Sequence, residues 1–162
     1  MAAAQAGSRP SPRRHVVEIV DRQRVWSVPR AWLTRVCRRA LAEEGVKRAT
    51  ITLVFVDDAG IAALHDRWLG DPTPTDVITF DLGDGDRLCG DIACSTETAL
   101  REAARYGWSA RHELAYYMIH GLLHLTGYDD HAVAHRRAMR ARERAVFAAL
   151  DLPAPPRRSR RP

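Results

Sequence analysis

Residues 120–131 read His-Gly-Leu-Leu-His-Leu-Thr-Gly-Tyr-Asp-Asp-His, three histidines and two aspartates in twelve residues. Such a stretch demands a helix followed at once by a sharp turn. His120 and His124 are four residues apart, so on a helix they sit one turn apart on the same face. Two imidazoles placed that way reach one metal ion. Gly127 lets the backbone enter the left-handed region and end the helix. The turn then carries Asp130 or His131 back toward the same ion as a third ligand. Three protein ligands leave a fourth position open, the pattern of a catalytic zinc rather than a structural one.

The zinc-protease pattern His-Glu-x-x-His-x-x-Gly-x-x-His has the same skeleton. Gly121 stands where those enzymes carry their glutamate general base, so peptide hydrolysis by their route lacks its key group. The stretch from His120 to Asp129 resembles instead the signature of the YbeY family, bacterial metal-dependent endoribonucleases that process ribosomal RNA. Pro74-Thr75-Asp76-Val77-Ile78-Thr79-Phe80 is similar to the family's Pro-Thr-Asp-Val-Leu-Ser-Phe. Gly90-Asp91-Ile92-Ala93-Cys94-Ser95 is similar to its Gly-Asp-Ile-x-Ile-Ser. The three segments come in the family's order, and the resemblance covers roughly residues 15 to 150. It implies a zinc-dependent, single-strand-specific endoribonuclease of small-subunit ribosomal RNA 3′ maturation and ribosome quality control. It further implies one Zn2+ per chain, single-stranded RNA, ribosomal RNA and the ribosome as partners, and a cytoplasmic location.

Two departures from the family pattern bear on the site. The family's third histidine directly follows Tyr-Asp; here Asp130 intervenes and His131 comes one residue later. Spacing favours Asp130, since a tight turn fixes reach. His131 stays open, because a loop absorbs one residue. Whichever does not bind is placed to orient the site or to act as a base; no catalytic residue beyond that is assigned. The second departure is Leu69, where the family usually carries an arginine thought to meet RNA phosphate. Arg67 lies two residues earlier and, on a helix, on a different face.

Charge alone does not point to RNA. Lys and Arg total 25 against 20 Asp and Glu, a net charge of +5, and the basic residues are nearly all arginine. Guanidinium forks suit phosphate. Removing Arg9, Arg13, Arg14, Arg157, Arg158, Arg160 and Arg161, however, leaves the remainder near neutral. No apolar run approaches the ~18 residues of a membrane span. Cys37, Cys89 and Cys94 form no metal-type pair and fit a reducing compartment as small hydrophobes.

The rest of the chain supplies a scaffold. Residues 1–14 and 152–162 are basic, proline-containing and expected to be disordered, leaving 15–151 as one domain. Strands are expected near 16–20, 49–56, 77–82 and 88–94, and helices near 31–44, 58–68, 96–105, 111–125 and 133–150. Strands and helices do not strictly alternate. That argues for an α+β fold, a roughly four-stranded mixed sheet with helices on one side and a zincin-like metal helix against it. Thr75, Asp76 and Asp91 are read chiefly as structural, with a direct catalytic role for Asp76 as the alternative. Tyr116 reads as core, with a hydrogen bond near the site as the alternative; His112 and His135 read as solvated surface, and His65 as facing the cleft. Two other functions stay in play: a non-catalytic ribosome-assembly factor with a structural metal, and a zinc metalloprotease.

Overall fold

A computed structural model describes residues 14–83 and 85–158. In chain order the elements are β1 (Arg14–Asp21), α1 (Arg30–Glu43), β2 (Arg48–Val56), α2 (Asp58–Leu69), β3 (Val77–Asp81), β4 (Leu88–Ser95), α3 (Thr96–Tyr106), α4 (Ala110–Leu125) and α5 (Val133–Ala149). Arg14, expected in the N-terminal tail, opens β1, and residues 1–13 lie outside the described residues. The strands form one sheet in the order β1-β2-β4-β3. β1, β2 and β4 run parallel, and β3 pairs antiparallel with β4. A parallel pair needs a long crossover, and α1 provides it between β1 and β2. The result is the expected α+β fold on a four-stranded mixed sheet.

Alternation along β2 sends Ile51, Leu53 and Phe55 to one face, where they are fully buried. There they join Ile92 and Cys94 of β4, the apolar faces of α1 and α4, and Val146 and Phe147 of α5 in the main core. Val54 and Val56 point the other way and meet Ile61, Leu64 and Ile78 in a smaller cluster. Helices were expected on one side only; α2 instead covers part of the second face, because Ile61 and Leu64 give it an apolar stripe of its own. Asp57 caps α2 and Ser95 caps α3.

α4 lies tight against the sheet. A Cβ at Gly121 would stand 2.8 Å from both Ile92 Cγ2 and Thr79 Oγ1, so glycine is what lets the helix seat. Gly121→Ala should therefore cost about 1–3 kcal/mol by overpacking, read as a lower urea midpoint. Cys37 and Cys94 are buried in the same core and Cys89 is half-buried; all three are free. Burial pushes the Cys37 thiol up to about 12. In the native protein a thiol reagent should modify Cys89 quickly and the other two only after denaturation.

Residues 152–158, part of the expected tail, carry no regular structure; Pro153, Ala154 and Arg157 are exposed and the other four are half-buried. Leu152 packs on the main core. Arg158 Nη2 donates to both carboxylate oxygens of Glu113 at 2.8 Å. Its guanidinium lies 4.0 Å from the Tyr116 ring centroid and 4.9 Å from that of Tyr106. The physical reason is Glu113 itself: this α4 carboxylate is 0% exposed and needs a cation. Trp108 Nε1 also donates to Glu113, at 2.6 Å. Residues 159–162 lie outside the described residues.

Candidate metal centre

The C-terminal end of α4 builds the site. Gly127 has φ of 104°. Its N–H donates to His124 O at 3.1 Å, and Tyr128 N–H donates to Leu123 O at 2.9 Å. These two bonds close a Schellman turn. The turn folds the Tyr128 carbonyl back to 3.1 Å from His124 Nδ1. The next residues are tied by Asp129. One of its carboxylate oxygens accepts from the N–H groups of Asp130 and His131 at 2.7 and 3.1 Å. The other lies 3.0 Å from His135 Nδ1. This knot aims Asp130 at the two histidines of α4.

His120 Nε2 and His124 Nε2 face each other at 3.0 Å. The Asp130 carboxylate oxygens lie 3.6 and 3.8 Å from them. Ligand atoms about 2.0–2.1 Å from a shared tetrahedral ion stand about 3.3 Å apart, so a slight opening of the histidine pair and a small approach of Asp130 would seat one. The other ring nitrogens are already engaged. His120 Nδ1 lies 2.7 Å from Glu143 Oε1, and His124 Nδ1 meets the Tyr128 carbonyl. A ligating histidine characteristically gives its second nitrogen to a carboxylate or a carbonyl. His120, His124 and Asp130 together form a group able to hold a metal ion.

Glu143 is only 3% exposed and accepts a second bond, 3.0 Å, from the Tyr116 hydroxyl. Burial and the Glu143 charge push the Tyr116 pKa far up, so this hydroxyl stays a donor. Burial works against charge on His120, yet the Glu143 hydrogen bond and charge, with Asp130 and Asp76 behind them, raise its pKa above the ordinary value. Burial and the His120 charge lower that of His124.

Asp130 and His131 sit differently relative to the histidine pair. Asp130 joins the histidine pair. The His131 side chain is 91% exposed and turned toward Asp129, 3.5 Å away. Asp129, Asp130 and His131 form a second, more exposed group that shares only Asp130 with the first.

Asp76 is a turn-former: its carboxylate accepts from Val77 N–H at 2.9 Å and its carbonyl from Ser95 N–H at 2.9 Å. Thr75 Oγ1 donates to the same carboxylate at 3.2 Å. Asp91 and Arg67 line an apolar groove under α2, on the sheet face opposite α4. Arg67 lies over the Trp68 ring there and does not substitute beside the histidines, while Leu69 is exposed. His65 holds the loop before Pro74 through Thr73 O at 2.8 Å. His112 is not solvated surface as expected: it is wedged between the Trp32 and Trp108 rings, 5.7 and 6.0 Å away, and burial lowers its pKa. His135 is exposed but holds Asp129.

Glu143 escaped the sequence reading, although a signal was present. It lies on the apolar stripe of α5 with Met139, Val146 and Phe147, where an acid needs a partner.

Comparison with known proteins places this site in context. The family profile described as endoribonuclease YbeY matches residues 18–151. Endoribonuclease YbeY of Moorella thermoacetica is 41% identical over 133 residues, covering 74% of this chain and 85% of its own. That of Geobacter metallireducens is 34% identical over 143 residues, covering 83% and 95%. A solution structure of a Thermotoga maritima protein shares the fold, with a TM-score of 0.58 at 21% identity over 84% of this chain and 92% of that one. With a profile running from β1 through α4 and α5, and relatives covering most of its length, this chain belongs to the endoribonuclease YbeY family.

Proposed function

We propose that this chain is a zinc-dependent endoribonuclease that cuts single-stranded RNA during ribosomal RNA maturation, working with the ribosome in the cytoplasm. His120, His124 and Asp130 hold the one ion. The observation that carries this reading is the facing Nε2 pair at 3.0 Å with Glu143 fixed behind His120. When bound, zinc supplies Lewis acidity to a phosphoryl oxygen and to the attacking hydroxyl or water. The chain's own residues prepare for that. Glu143 fixes His120 with its Nε2 toward the cluster, and the Tyr128 carbonyl does the same for His124. Asp130 brings negative charge, and His131, exposed beside Asp129, is left for the role of base.

The peptidase reading is disfavoured by geometry. Position 121 faces Ile92 and Thr79 on the sheet, so a general base has no place there. Three free cysteines among the described residues agree with a reducing compartment. Among the described residues no helix is long and apolar enough to cross a membrane.

The test is cleavage of an end-labelled, unstructured RNA by the purified chain. Cutting should require added zinc, stop with chelator and leave casein untouched. RNA bound tightly but never cut, with zinc present, would favour the assembly-factor reading instead.

A further inference from the structure

Beside the metal cluster lies a basic groove of about 480 Å³ between α5 and residues 155–158. Its floor is Tyr116 and Glu143, the pair that holds His120. Its walls carry Arg140 and Arg144 of α5, and Arg157. All three arginines are exposed, and none has an ion pair or hydrogen bond among the described residues. The acids nearby do not neutralise them: Glu143 is committed to His120 and Tyr116, and Glu113 to Arg158 and Trp108. Unpaired arginines are ordinary on a surface; what sets these three apart is that they line one groove, and positive charge gathered there without a counter-charge suits an anion.

The groove's shape says which anion. Arg140 and Arg144 stand one helical turn apart, about 6 Å along the axis, and form a ridge rather than a cup. Arg137, also exposed, extends the ridge one turn further. A row of guanidinium forks suits a chain of phosphates better than a single one. We propose that this groove, through Arg140, Arg144 and Arg157, binds the phosphate backbone of the single-stranded RNA that enters the metal centre. The inference rests on the nuclease reading and adds to it the surface that holds the strand. The three contacts read charge and not base, so the site confers affinity without sequence preference.

The test is fluorescence anisotropy with labelled oligouridylate and the full chain in chelator, repeated over a range of salt. The variant is Arg140→Ala/Arg144→Ala/Arg157→Ala. A control, Arg24→Ala/Arg38→Ala/Arg48→Ala, removes the same charge from exposed positions elsewhere. Loss of three phosphate contacts should flatten the slope of log K against log salt by about 2, at about 0.7 per contact on a single strand. Affinity at low salt should fall at least about tenfold, with the control near wild type. In zinc, the groove variant should show a raised KM and an unchanged kcat. Equal losses in both variants, or displacement of RNA by polyglutamate as readily as by unlabelled RNA, would overturn the proposal while leaving the nuclease reading intact. A wild-type chain that binds no single-stranded RNA at any salt would sink both.

Discussion

Glu143→Ala should weaken zinc affinity by about 10–100-fold and make cleavage depend on zinc concentrations the wild type does not need. The carboxylate lies 2.7 Å from His120 Nδ1, is 3% exposed, and fixes the ring with its Nε2 toward the cluster. Without it the imidazole can rotate or present the wrong tautomer, and Tyr116 loses its acceptor. Because no ligand is removed, excess zinc should restore most of the rate. His124→Ala, which deletes a ligand, should not be rescued in this way. A competition titration with a chromophoric chelator separates the cases. Unchanged affinity in Glu143→Ala would mean that His120 needs no support from α5.

Arg158→Ala should be the most destabilising single change outside the main core. Glu113 is fully buried, and Arg158 Nη2 meets both of its oxygens at 2.8 Å. Removing one partner of a buried pair leaves an uncompensated charge, at about 3–5 kcal/mol. For a chain of this size that lowers Tm by roughly 10 °C. The neighbouring Arg157→Ala, at an exposed position, should leave Tm unchanged. Glu113→Gln combined with Arg158→Leu should recover most of the loss, since the double change removes the charge itself. A Tm for Arg158→Ala equal to wild type would mean that the carboxylate finds water or another cation.

How far the site could be read in advance depended on the range of the interaction. The histidine pair and its glycine stop are local, and spacing alone put them on one helix face. Spacing favoured Asp130 over His131 without showing how it is held beside the histidines: Asp129 captures both backbone N–H groups with one oxygen. Glu143 acts on His120 from 23 residues away and Arg158 on Glu113 from 45, distances over which pattern says nothing about partners. What pattern does show is an acid on an apolar stripe, as at Glu143 on α5 and Glu113 on α4. Such an acid announces a buried partner without naming it. The second sheet face was missed for a related reason: α2 has a narrow stripe, Ile61 and Leu64, and only the alternation of β2 shows that it has a face to cover.

Elemental analysis of the purified chain is the most direct test of the metal centre. The proposed function predicts close to one zinc per wild-type chain, lost in His120→Ala and Asp130→Ala and kept in His131→Ala. A chain that takes up no metal even when zinc is supplied, or that keeps it in Asp130→Ala and loses it in His131→Ala, would contradict the assigned site.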